Sequence, residues 1–82
     1  MPRAMDSPLN RWLQSKNISQ ADLGNAVGIS RASVGFAASG SMPLTGELLE
    51  YLVAHAPEVV EPQQRFYEDR KRNAQQVIEE AA

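Results

Sequence analysis

Apolar positions recur along the chain in short runs of helical period, and each run closes on a residue that ends a helix. Leu9, Trp12 and Leu13 fall at i, i+3 and i+4, one face of a helix running to about Lys16. Ser7 and Pro8 open it. The serine side chain caps a free N–H group, and proline at the first helical position gives up an N–H that has no helical partner there. Ser19 with Asp22 three residues later predicts an approximate capping box at the head of a second helix, with Leu23, Ala26 and Val27 inward and Gly28 as its exit. Ser30 caps a third helix whose inner face is Val34, Ala37 and Ala38, and Ser39-Gly40-Ser41-Met42-Pro43 breaks it. Thr45 is placed to cap a fourth helix through Leu48, Leu49, Leu52 and Val53, ending near Pro57. Pro57 and Pro62 then bracket a short bend, and Pro62 opens a long polar helix to about Glu80. No segment alternates as a strand does and nothing repeats, so the expected fold class is all-α.

Composition narrows this picture. Eighty-two residues with 43% apolar content suit one small domain with a modest core and, at most, an appendage. The absence of cysteine excludes disulfides and thiolate metal sites. The N-terminal MPRAMDSPLNRW lacks the apolar run of a signal peptide, and no stretch reaches transmembrane length, so a soluble cytoplasmic protein is expected. The formal net charge of −2 hides an asymmetry: residues 1–40 carry +2 and residues 41–82 carry −4. Only the first half has the sign that suits a polyanion.

The segment from Gln20 to Ser39 resembles the helix-turn-helix of the lambda-repressor/Cro-like group, the XRE family. That twenty-residue pattern has glutamine first, a small residue fifth, glycine ninth and apolar residues at the fourth, eighth, tenth and fifteenth places. Here these are Gln20, Gly24, Gly28, Leu23, Val27, Ile29 and Val34, followed by a typical closing Ser39-Gly40. The resemblance covers about residues 8–56 and implies a compact four- to five-helix lambda-repressor-like domain. Residues 57–82 would form a C-terminal helical extension. A small fifth residue lets the two helices approach, and glycine there costs about 1 kcal/mol of helix propensity against alanine.

The resemblance also implies that the third helix enters the major groove of double-stranded DNA, with Arg31, Ala32, Gly35 and Phe36 outward. Arg31 suits guanine, whose O6 and N7 its planar fork can take together. Gln20 would touch phosphate and buttress the recognition helix. Ser30 and Ser33 would either donate to phosphates or cap locally, and Ser39 completes the carried-over contact set. Phe36 departs from the family, which commonly has a polar or basic residue there followed by a bulky pair. It packs either on thymine methyl groups or into the space left by Ala37 and Ala38.

With so few cations a single domain should bind DNA weakly, since each neutralised phosphate contributes about 0.9 to the salt slope of log affinity. Two-fold symmetry is the usual remedy, because the second half-site contact becomes local. The tail offers a means: Phe66, Tyr67, Ala74, Val77 and Ile78 supply apolar surface, and all but Phe66 share with Ala81 a helical stripe interrupted by Arg70 and Lys71 on its edge. They read as a dimerisation helix, or else Phe66 caps the chain's own core. The run Arg70-Lys71-Arg72 reads as ordinary ion-paired surface or, alternatively, as phosphate contacts.

Catalytic and metal chemistry has no foothold here. His55 is the sole histidine and lacks ligand spacing, there is no phosphate-binding glycine loop, and no nucleophile has a partner base. The expectation is a non-enzymatic, cofactor-free, dimeric transcription regulator of the phage or plasmid repressor type, acting on a palindromic operator, with no small-molecule ligand and no membrane partner. The alternative is an antitoxin or other interaction module whose tail binds a protein.

Overall fold

Five helices follow one another: α1 (Pro8–Ser15), α2 (Gln20–Val27), α3 (Arg31–Ala38), α4 (Gly46–His55) and α5 (Pro57–Ala81). The computed structural model describes residues 7–81, with side chains described through Ala74, and all regular structure among the described residues is helical. The all-α expectation holds.

The first three helices start and stop where local chemistry demands. Ser7 caps α1 by accepting from the Asn10 N–H at 3.2 Å, with Pro8 at the first helical position. Ser19 and Asp22 form both halves of the capping box: the Asp22 N–H donates to Ser19 Oγ at 2.9 Å and the Ser19 N–H to Asp22 Oδ2 at 3.4 Å. Two of the exits share one motif. Asn17, at φ 56°, lets the Ile18 N–H reach back to the Leu13 carbonyl and its own N–H to that of Gln14. Gly40, at φ 80°, does the same after α3, with Ser41 bonded to Phe36 and Gly40 to Ala37. Each pair satisfies carbonyls that a helix end leaves without partners.

Leu9, Leu13, Leu23, Val34, Leu48 and Leu52 form the centre of the core, closed by Ala37, Ala38, Leu44, Ala56 and Val59. Trp12, Ile18, Val27 and Ile29 pack against it while half-buried. One expected inner position is corrected: Ala26 is exposed. Val53 is 54% exposed, because α4 turns the face carrying Leu48 and Leu52 inward. Thr45 has the extended backbone of a cap, yet its side chain makes no cap bond. His55 stacks on Tyr51 with ring centroids 4.3 Å apart.

The largest correction concerns the second proline. The bend is the single buried residue Ala56, at φ −149° and ψ 60°, and α5 already begins at Pro57. A residue before proline is pushed out of the helical region, so the break falls there. Pro62 lies inside α5 rather than at its start. Its missing N–H would have met the Glu58 carbonyl, and both residues are on the exposed side, where water can take that carbonyl. The early start brings Val59 and Gln63 into the core, so the core runs past residue 56. Beyond Tyr67, residues 68–74 are exposed, and the longest extent of the molecule is 43 Å against 23 and 20 Å across. No helix among the described residues is long and apolar enough to cross a membrane.

Candidate nucleic-acid interface

The α2–α3 pair is built around two glycines. The Gly24 carbonyl accepts from both the Gly28 and Ile29 N–H groups, at 2.8 and 2.9 Å, while Gly28 turns the chain at φ 90°. A Cβ at position 24 would stand 2.8 Å from the Ile29 carbonyl oxygen, with Arg31 N and Ser30 C at 3.4 Å. Small is therefore not small enough: the approach of α2 to the head of α3 leaves room for hydrogen only.

Val34, Ala37 and Ala38 bury one side of α3, which turns the other side outward. Arg31, Gly35 and Ser39 form one row there at four-residue spacing, and Ala32 and Phe36 form the next. Because Gly35 and Ala32 carry little or no side chain, the rows enclose an open depression of about 510 Å3, lined by Gln20, Arg31, Ala32, Gly35, Phe36, Ser39 and Ser41. Six of the eight residues expected to contact DNA are thus brought together. Among the described residues Arg31 is the one charged side chain in the lining, and no carboxylate shares it.

Gln20 sits between three helices. Its Nε2 donates to Asn10 Oδ1 of α1 at 3.2 Å, and its Oε1 would be 3.3 Å from a Cβ on Gly35. Phe36 is 53% exposed and stands on the rim of the depression, so it does not fill the space beside the two alanines. Ser39 Oγ donates to the Phe36 carbonyl at 3.1 Å and shares a 2.9 Å hydrogen bond with Ser41 Oγ.

Ser30 and Ser33 are not in this cluster. Ser30 Oγ accepts from the Ser33 N–H at 3.1 Å and shares a 2.9 Å bond with Ser33 Oγ, so local capping occupies both. One hydroxyl proton of the pair remains for an outside acceptor. Ser33 also borders a second hollow of about 290 Å3, whose lining includes Ala37, Met42, Leu48 and the carboxylate-bearing Glu47.

The residue that sequence reasoning missed is Gln63. It is 1% exposed, its Oε1 accepts from the Leu9 N–H at 2.9 Å, and its Nε2 donates to the Ala37 carbonyl at 2.7 Å and the Ala38 carbonyl at 3.4 Å. One amide thus joins a donor at the head of α1 to carbonyls at the end of α3. The available signal was the spacing Val59, Gln63, Phe66, Arg70, one helical face once α5 is started at Pro57.

Of the residues read as a dimerisation set, Phe66 packs on its own chain: a Cβ on Gly40 would lie 2.7 Å from Phe66 Cε1. This is the intramolecular contact of the alternative reading, and the ring stays half-buried. Tyr67 is half-buried and Ala74 exposed, while the side chains of Val77 and Ile78 lie outside the described residues. No family model, curated protein or solved structure matches the chain. The functional reading therefore rests on the geometry of the α3 face.

Proposed function

We propose that the chain is a sequence-specific DNA-binding transcription regulator, acting in the cytoplasm as a small homodimeric repressor on a palindromic operator. The observation that carries this reading is the outward face of α3. Six residues expected at a DNA interface surround one open depression with an arginine at its N-terminal end and no acid in its lining. A helix presented this way fits the major groove, where its first residues meet base edges. Arg31 takes guanine O6 and N7, Phe36 supplies apolar contact to a thymine methyl, and Gln20 holds α3 against α1 while reaching phosphate. Two copies would set their α3 helices in half-sites about 34–36 Å apart. The helical stripe of Tyr67, Ala74, Val77 and Ile78 would join them.

The test is selection of preferred duplexes from a random pool, followed by anisotropy titration of the winner. Arg31→Ala should reduce affinity for the selected duplex by about 1–3 kcal/mol, or roughly 5- to 150-fold, and erase preference at the position it reads. A selection that enriches no sequence sinks the reading. A second reading, an antitoxin-like module, draws on residues 68–74, which are exposed. Under it the full chain is monomeric in light scattering and gains order only with a protein partner.

A further inference from the structure

The depression on α3 offers one cation, and the chain as a whole is acidic, so an interface confined to α3 is short of charge for a polyanion. We propose that Arg70 of α5 is a phosphate-contacting residue that extends the interface past the C-terminal end of α3. This rests on the DNA-binding reading above.

Arg70 Cδ lies 3.0 Å from where a Cβ of Gly40 would be, so the aliphatic stem of the arginine crosses the glycine that ends α3. Gly40 sits between Ser39 and Ser41, both of which line the depression. The guanidinium carbon is two bonds beyond Cδ, so the charge has the reach to stand at this end of the depression. The position is not that of a loose surface arginine. Phe66, one turn earlier on the same face of α5, packs on the same glycine, and Gln63, two turns earlier, bonds to the Ala37 and Ala38 carbonyls. The stem thus rests against its own chain before any ligand arrives, and a contact already made lowers the entropy lost on binding.

Among the described residues the charge on Arg70 is also uncommitted. Arg65 pairs with Glu61 at 2.7 Å and Arg72 with Asp69 at 3.7 Å, but Arg70 makes no ion pair among the described residues. A helix lying in a major groove brings its ends toward the sugar–phosphate walls, and contacts there fix register without reading sequence. Arg70 therefore adds affinity and salt dependence, not base preference.

The experiment measures affinity for a short duplex of mixed sequence across a salt series, using the full chain, Arg70→Gln, Arg70→Lys and Arg65→Gln. Arg65→Gln removes a charge of the same sign elsewhere on α5, one already paired with Glu61 at 2.7 Å. Arg70→Gln should lower the slope of log affinity against log salt by about 0.9, so the wild-type advantage shrinks about 3.5-fold between 50 and 200 mM salt. Arg70→Lys and Arg65→Gln should keep the wild-type slope. An unchanged slope in Arg70→Gln, or an equal fall in Arg65→Gln, overturns the assignment and leaves the α3 reading standing. A wild-type chain that fails to bind duplex at the lowest salt overturns both.

Discussion

Replacing Gln63 with methionine keeps the length and flexibility of the side chain while deleting both of its polar ends. The Leu9 N–H, second in α1, has no other partner among the described residues, so its burial without a bond costs about 1–3 kcal/mol. The carbonyl side is cheaper to break, because Ala37 O also accepts from the Gly40 N–H at 3.2 Å. Losing the 2.7 Å bond there costs about 0.5–1.5 kcal/mol. Met recovers part of this as apolar burial, leaving a net loss of about 2–3 kcal/mol. A domain this small has about 4–12 kcal/mol in all, so the variant gives up a large share of it. A loss of that size lowers Tm by about 8–24 °C in a domain of this length. Urea unfolding followed by the fluorescence of the single tryptophan, Trp12, gives the comparison. Gln64→Met, at a half-buried neighbour with no such bonds, should stay within about 0.5 kcal/mol. If Gln63→Met also stayed within that margin, the buried amide would not be the joint described here. Gln63→Glu sharpens the test. Its second oxygen would face the Ala37 carbonyl and need a proton to donate, so burial and that carbonyl raise the folded-state pKa above the ordinary value of about 4.3. Relative to wild type, this variant is therefore most stable below that ordinary value, and it loses stability as pH rises from there through the folded pKa.

Three further outcomes follow from the α3 surroundings. Gly24→Ala gains about 1 kcal/mol of helix propensity but drives a methyl to 2.8 Å from the Ile29 carbonyl oxygen, so a net loss of about 1–3 kcal/mol is expected. A more stable variant in thermal melts would mean that the two helices are not that close. Gly40→Ala meets both the left-handed backbone and the Phe66 ring, and should lose about 2–4 kcal/mol in the same melts, whereas Gly46→Ala, with open space around it, loses only the backbone part of about 1–2 kcal/mol. Light scattering on the full chain should report a dimer, and the paired change Val77→Asp with Ile78→Asp a monomer; a dimer in both would move the contact between copies elsewhere.

Features written in adjacent residues were legible in the sequence. The caps at Ser7, Ser19 and Ser30, the exits at Gly28 and Gly40, and the inner face Val34, Ala37 and Ala38 depend on a few neighbouring residues and a helical period. Features set by a distant partner were not. Pro62 carries the same local signal whether it opens a helix or sits on the wet side of one, and only the burial of Val59 and Gln63 decides between them. Val53 fits the period of α4 as well as Leu49 does, and its exposure follows from which side α5 covers. Gln63 and Gln64 are indistinguishable in composition. What separates them is that one faces a free N–H fifty-four residues away.

The same distant partners bear on how so weakly basic a chain would hold DNA. Nothing in the depression on α3 substitutes for charge, so affinity has to come from precise placement and from repetition. Gly24 sets α3 against α2, Gln20 of α2 lies between Gly35 and Asn10 of α1, and Gln63 with Phe66 fixes its far end to α5. Each brace removes a motion that binding would otherwise have to freeze. Because α5 is tied to the end of α3 and not to a flexible linker, a contact between two copies along α5 would hold both recognition helices at a set distance. Under the proposed function, rigidity of that joint decides how much the second half-site contributes. Gln63→Met at a temperature where it remains folded should therefore weaken binding to a full palindrome more than to a single half-site. An equal loss on both would separate stability from geometry and leave α5 with no part in spacing.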